Sequence, residues 1–491
     1  MAIIAAFAVP HPPLIIPAVG QGREQGISAT VDAYREVGRR IAELNPDTIV
    51  ISSPHSTTYY DYLHIAPGTH ARGSFRKFGA GGCGSSVTYD EEFVSRLCDA
   101  ADAEDFPAGT DGERDHELDW GVLIPLYFVQ LGYWERKEVN PLEATGAFLP
   151  ELPYRIVRLS ISGLSPRMHY HLGQLVQHVA EELDRRVVYI ASGDLSHKLT
   201  KDGPYGYAPE GPAFDHMICD TFRTGDFLNL LEVDAEQCDR AAECGLRSFQ
   251  IMAGALDSTP VTAELLSYEG PFGVGYGVAA FTPTGKAGSD PSRAFAEQIR
   301  CHREQEAQEQ HETEHPLVRL ARYALETYVR DGKRVDPTKL PDDLASALPD
   351  EALSTRAGVF VSLKKDGELR GCIGTILPTR DSLAEEICSN AVSAGCHDPR
   401  FKAVRDDELD ELIYDVDVLS TPERITDPKE LDPQRYGVIV SASHGRRGLL
   451  LPDLDGVDTI ADQLGIAARK GGIDLTRDHV MLHRFTVTRY L

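Results

Sequence analysis

Ile3-Ile-Ala-Ala-Phe-Ala-Val-Pro-His-Pro-Pro13 opens the chain with seven apolar residues, stopped by prolines that enclose a histidine. An unbroken apolar run of this length predicts a strand buried on both faces, as in the interior of an α/β sheet. Two further runs share the arrangement. Thr48-Ile-Val-Ile-Ser52 is followed by Ser53-Pro-His55, and Val187-Val-Tyr-Ile-Ala191 by Ser192-Gly-Asp-Leu-Ser-His197. Helical patterns alternate with these runs, so the first half reads as an α/β domain around a parallel or mixed sheet. In such sheets ligands bind in the crevice outside the carboxyl ends of the strands, which makes His11, His55 and His197 candidates to converge there. The prolines beside His11 and His55 restrict the backbone and would fix the direction of each imidazole.

Composition narrows the partners. With 76 acidic against 49 basic residues the formal charge is −27, which disfavours a surface that neutralises phosphates, so neither nucleic acid nor an anionic membrane is expected. No apolar run approaches the roughly 18 to 20 residues that span a bilayer, and the opening strand lacks the basic flank of a signal peptide. Nine cysteines, scattered and nowhere spaced as C-x-x-C, suggest reduced thiols in a cytoplasmic protein. Between Thr284 and His315 the periodicity gives way to a Gly/Ser/Pro stretch and a Glu/Gln/His-rich run. We place the division of the chain there: residues 1–283, a polar linker or solvated helix over 284–315, and residues 316–491.

Two imidazoles and one carboxylate can hold iron(II) while leaving positions open for substrate and dioxygen. Pro10-His-Pro-Pro13, Ser53-Pro-His55, Asp115-His116, Ser192-Gly-Asp-Leu-Ser-His197 and Glu243-Cys-Gly245 together resemble the class III extradiol dioxygenase beta-subunit (LigB) family. The likeness covers about residues 1–283. It implies that His11, His55 and Glu243 are the metal ligands, that iron(II) is the cofactor, that His197 is the acid/base catalyst and that His116 touches the substrate. Asp194 caps the turn or orients His197. Cys244 is the alternative third ligand, because the related Memo family resembles this domain and carries a cysteine where the dioxygenases have their glutamate. His169 and His171, at the start of a predicted helix, read as solvent-facing residues. Gly79-Ala-Gly-Gly-Cys-Gly84 satisfies G-x-G-x-x-G, yet no hydrophobic strand precedes it, and a mobile loop is expected.

The second half predicts a smaller α+β domain. Leu317–Val329 has the spacing of an amphipathic helix, Gly358–Leu363 and Tyr414–Leu419 read as strands, and Lys364-Lys-Asp-Gly367 as a turn. Leu369-Arg-Gly-Cys-Ile-Gly-Thr-Ile376, His397-Asp-Pro-Arg-Phe401 and Gly448-Leu-Leu-Leu-Pro452 resemble the AMMECR family over about residues 316–491. Cys372, between glycines and next to an arginine, is a candidate nucleophile or ligand, and a small buried residue is the competing reading. Both families, with a radical S-adenosylmethionine protein, belong to the gene system called AmmeMemoRadiSam, and this chain looks like a fusion of two of its parts. The resemblance therefore implies an iron(II)-dependent dioxygenase or related oxidase, acting with dioxygen on a catecholic or similar aromatic small molecule. The alternative is a metal-binding, substrate-presenting partner of a radical S-adenosylmethionine enzyme. Association as a homo-oligomer is left open by the sequence.

Overall fold

The computed structural model describes residues 2–139, 151–365, 368–454 and 456–491, which form two compact units, Met1–Ile299 and Arg300–Leu491. The first is built on six strands: β1 (Ile3–Val9), β2 (Thr48–Ser53), β3 (Arg155–Ser160), β4 (Val187–Ser192), β5 (Val261–Glu269) and β6 (Tyr276–Pro283). Their order is β3-β2-β4-β1-β6-β5. The first four are mutually parallel, and β6 and β5 add an antiparallel hairpin at the far side of β1. The sheet is therefore mixed, with a parallel centre.

Every residue of β1, β2 and β4 is buried, because helices cover both faces. Phe7, Val9, Ile49 and Ile51 face helices α1 (Ser28–Leu44) and α2 (Trp120–Arg136). Ala6, Ala8, Val50 and Tyr189 face α3 (Pro166–Glu182) and α4 (Leu246–Ala255). Alternate residues of one strand thus serve two cores, which is why the runs show no polar alternation. Since β4 lies between β1 and β2, the segments that follow these three strands share one edge of the sheet.

The Gly-rich stretch is a strand, not a loop: Ala80–Thr88 pairs antiparallel with His70–Phe75. A hairpin ladder satisfies its backbone groups where a hydrophobic pattern is lacking.

The second unit is α+β. Strands β7 (Gly358–Lys365), β8 (Glu368–Gly374), β9 (Ile413–Leu419) and β14 (Val487–Tyr490) form an antiparallel sheet ordered β8-β7-β9-β14. Helices α6 (Pro316–Asp331) and α7 (Leu383–Cys396) pack on it through Leu320, Leu325, Ile387 and Ala391 against Val359, Val361 and Val416. A second sheet, from β10 (Glu423–Ile425), β11 (Gly437–Ser441), β12 (Arg447–Leu450) and β13 (Met481–Phe485), runs β10-β13-β11-β12 and carries α8 (Ile460–Lys470). The expected turn at Lys364–Gly367 includes Asp366 and Gly367, which lie outside the described residues. The polar run is largely helix α5 (Phe295–Thr313). Its Phe295 and Ile299 are buried in the core of the first unit, while its His311 Nε2 donates to the Leu412 carbonyl at 3.0 Å in the second. Among the described residues no helix is long and apolar enough to cross a membrane.

One close approach governs the α3/α4 layer. A Cβ at Gly254 would stand 1.8 Å from the Tyr170 carbonyl oxygen, and one at Gly173 2.0 Å from that of Ile251. Both neighbours are backbone and cannot move aside. Helix propensity alone favours alanine over glycine by about 1 kcal/mol, whereas overpacking costs about 1–3 kcal/mol. We predict that packing wins: Gly254→Ala lowers the urea midpoint of the first unit. A raised midpoint would show that the helices do not meet here.

Candidate metal centre

His11 follows the last residue of β1 by two positions and His55 follows β2 by two. Their Nε2 atoms stand 2.9 Å apart, with the rings edge to face at 4.6 Å. The His11 Nδ1 is hydrogen bonded to Ser192 Oγ of β4 at 3.0 Å, and the His11 backbone N–H donates to Asp194 Oδ1 at 2.7 Å. The ring is thereby fixed with Nε2 turned toward His55. The Cys244 thiol sulfur lies 3.5 Å from His11 Nε2. Ligand atoms of His11, His55 and Cys244 all fall within 4.8 Å of one another, as do those of Asp194, His197 and Cys244. The two groups share the thiol.

Burial decides the charge state of this cluster without a cation. It pushes the His11 imidazole down to about 3, and His55 down to about 4, where the neighbouring His11 adds to the effect of burial. Burial raises the Asp194 carboxyl to about 6 and the Cys244 thiol well above its usual value. At neutral pH both imidazoles are therefore uncharged and offer lone pairs, which is the form a metal needs. Two nitrogens bound at about 2.1 Å to one cation stand about 3 Å apart, close to the separation seen between these rings. Two imidazoles and a thiol make a donor set that fits a borderline or soft divalent metal, iron(II) and zinc among them.

Comparison with known proteins assigns the domains to families. Residues 5–279 match the family described as the catalytic LigB subunit of aromatic ring-opening dioxygenase. The chain belongs to the LigB family. Residues 318–490 match a second family, AMMECR1. The protein CA_C1420 of Clostridium acetobutylicum is 38% identical over 100% of this chain and 99% of its own length, so the two-domain fusion recurs there. A protein of Thermotoga maritima is 52% identical over 36% of this chain and 98% of its own. The crystal structure of the uncharacterized protein PH0010 from Pyrococcus horikoshii, 32% identical, covers 36% of this chain and 90% of that one with a TM-score of 0.32.

Within this LigB-family domain, one expected ligand is displaced. Glu243 does not join the imidazoles: its carboxylate accepts from the Leu246 N–H at 2.7 Å and caps the start of α4. Its neighbour takes the place instead. The Cys244 N–H donates to the Asp194 carbonyl at 3.4 Å, and the His197 N–H to the Ala241 carbonyl at 3.1 Å. These bonds lace the loop after β4 to the turn before α4. The turn can come this close only because Gly193 faces Gly245, where a Cβ on Gly193 would meet the Gly245 Cα at 2.1 Å. With the backbone held there, residue 244 points at His11 and residue 243 at the helix end.

His197 and Asp194 stand at the cluster, but the other expected residues do not. His116 is exposed and borders an open recess of about 410 Å³ with Arg72, Arg76 and Glu117. Trp120, four residues on, is the one that reaches His55, and Asp119 beside it bonds the two serines that flank Pro54-His55. Trp120 stacks on the His55 ring at 3.9 Å. Neither was singled out from sequence, although an acidic residue before an apolar run is an N-cap signal. His169 is buried rather than solvent-facing: its Nε2 accepts from the Ser162 N–H at 3.1 Å and its Nδ1 donates to the Ser165 carbonyl at 2.9 Å. In the second unit Cys372 is half-buried. Its sulfur accepts from Ser362 Oγ at 3.3 Å, and its N–H donates to Asp398, whose carboxyl Arg400 holds well below the usual range. Among the described residues no histidine stands within hydrogen-bond distance of that thiol.

The displaced ligand gives a direct test. Cys244→Ala should abolish stoichiometric metal binding, whereas Glu243→Gln should keep it while losing about 1 kcal/mol of stability from the weakened cap. Because the imidazoles are already neutral and the thiol is protonated, metal binding should release about one proton near pH 7, tightening roughly tenfold per pH unit as pH rises. Calorimetry in buffers of different ionisation enthalpy reads this proton. Metal binding that is independent of pH between 6.5 and 8, or lost in Glu243→Gln, would contradict the assignment.

Proposed function

We propose that the N-terminal domain is a non-haem iron(II)-dependent oxidoreductase of the ring-opening dioxygenase type, acting on a catecholic or similar aromatic small molecule with dioxygen. The observation that carries this reading is the 2.9 Å approach of two neutral imidazole nitrogens, with a thiol at 3.5 Å, at the carboxyl ends of the central strands of a LigB-family domain. His11, His55 and Cys244 would hold the iron, which supplies the dioxygen chemistry when bound.

The protein's own residues would do the rest. His197 and Asp194 stand beside the thiol, within 4.8 Å of it. Among the described residues the His197 Nδ1 is buried without a hydrogen-bond partner, and the ring would accept a proton from a substrate hydroxyl and return it later. Tyr205, 61% exposed, meets the His197 ring edge to face at 5.2 Å, and with Trp120 beside His55 it would give an aromatic substrate two ring surfaces.

A second reading is favoured by Cys244 itself. A thiolate in place of the carboxylate departs from the two-histidine, one-carboxylate face of iron oxygenases and favours softer metals, and a metal that is held rather than turned over is what a substrate-presenting partner of a radical S-adenosylmethionine enzyme would carry.

Anaerobic iron(II) reconstitution followed by oxygen uptake with a panel of catechols separates the two. The first reading predicts catechol-dependent uptake that falls by about 10²- to 10⁴-fold in His197→Gln, with iron retained. Stoichiometric iron without uptake on any catechol would refute it and leave the second.

A further inference from the structure

The segment that closes over His55 is organised around one carboxylate. Asp119 Oδ1 accepts from Ser53 Oγ at 2.7 Å, and Oδ2 accepts from Ser56 Oγ at 2.6 Å. Ser53 Oγ in turn accepts from the His55 backbone N–H at 3.2 Å. The two serines flank Pro54-His55, so a single side chain grips both ends of the turn that presents the imidazole. The next residue, Trp120, lies on that imidazole at 3.9 Å, and Phe78 meets the indole edge to face at 5.7 Å. The segment carrying Asp119 is anchored separately. Arg158, buried, donates to the carbonyls of Glu117 at 2.9 Å and Asp115 at 3.4 Å and pairs with Glu113 at 3.3 Å.

We propose that Asp119 is a positioning residue for the metal centre, setting the direction of the His55 imidazole through Ser53 and Ser56. The proposal rests on the reading that His55 is a metal ligand, and it does not depend on the reaction. It extends outward a principle usually seen in direct contact with the ligand: partners beyond the first ring of atoms hold ligand orientation, and their loss typically weakens metal binding about 10- to 100-fold. Here the hold is on the backbone turn, since among the described residues the His55 ring itself meets the Trp120 face and His11. Both oxygens of the one carboxylate accept, Oδ1 from the Ser53 hydroxyl and the Val122 N–H at 3.3 Å and Oδ2 from the Ser56 hydroxyl.

The competing explanation is that Asp119 only caps α2 through Val122. Serine caps a helix about as well as aspartate, but its single, shorter hydroxyl cannot span both Ser53 and Ser56, whereas an asparagine amide could still bond both because a serine hydroxyl also accepts. Asp119→Ser therefore removes the clamp and leaves the cap. Trp120 supplies the readout: the chain has two tryptophans, and this one touches a ligand, so iron(II) binding should quench its fluorescence.

The experiment titrates metal-free wild type, Asp119→Ser, the Ser53→Ala/Ser56→Ala double variant and the triple variant with iron(II) under argon, and records the thermal midpoint of each metal-free protein. The expected result is a 10- to 100-fold weaker Kd in Asp119→Ser with an unchanged midpoint. The double variant should show the same loss, and the triple variant no further loss, since all three changes remove one clamp. A wild-type Kd in Asp119→Ser, or a loss that follows a lowered midpoint, overturns the proposal. If Asp119→Ser does not fold, the double variant decides alone. Normal iron binding without oxygen uptake would end the dioxygenase reading and leave this inference standing, whereas a wild type that binds no iron would end both.

Discussion

Two uncharged imidazoles brought to 2.9 Å, one buried and one half-buried, are the constraint on which the first unit turns. Burying polar nitrogens is costly unless each finds a partner, and the surrounding elements are arranged to meet that condition. Serine and aspartate after β4 hold the backbone and Nδ1 of His11, while serines clamped by Asp119 and the face of Trp120 hold His55. Because β4 lies between β1 and β2 in the sheet, its end and the segment after it emerge between the two strands that carry these rings. Ser192, Asp194 and His197 are drawn from that one segment. Sheet order, rather than any local motif, assembles the site.

Which residue stands beside the imidazoles depends on a contact between segments about fifty residues apart. Gly193 and Gly245 meet back to back, and this contact, with the bond from the Cys244 N–H to the Asp194 carbonyl, sets the register of the turn before α4. A shift of one residue would exchange the thiol for the carboxylate, with different consequences for the metal. A thiolate is softer and more electron-donating than a carboxylate, so this register is where the chemistry of the domain is decided.

Much of the fold was legible because it follows from runs of apolar residues. Ile3–Val9, Thr48–Ser52 and Val187–Ala191 announce doubly buried strands, and prolines mark where the first two stop. The helix at Pro316–Asp331 and the strands at Gly358 and Ile413 followed from their periods. His11, His55, Asp194 and His197 were legible for the same reason, since each stands just beyond a strand. Cys244 and Glu243 were not separable, because local sequence says nothing about which of two adjacent residues faces a sheet made elsewhere. Asp119 and Trp120 escaped notice because their partners, Ser53, Ser56 and His55, are distant in sequence. His169 was misread because its burial comes from a loop-to-ring bond at Ser162 that no periodicity reveals. The hairpin over the glycine-rich stretch escaped because its strands lack an apolar face.

The account stands on sulfur being in the metal's coordination shell. X-ray absorption at the metal edge of the anaerobically reconstituted protein measures this directly. We expect one sulfur scatterer at about 2.3 Å together with two imidazole nitrogens at about 2.0–2.1 Å, the sulfur disappearing in Cys244→Ala. A shell of nitrogen and oxygen alone in the wild type would contradict the account and return the third ligand to a carboxylate.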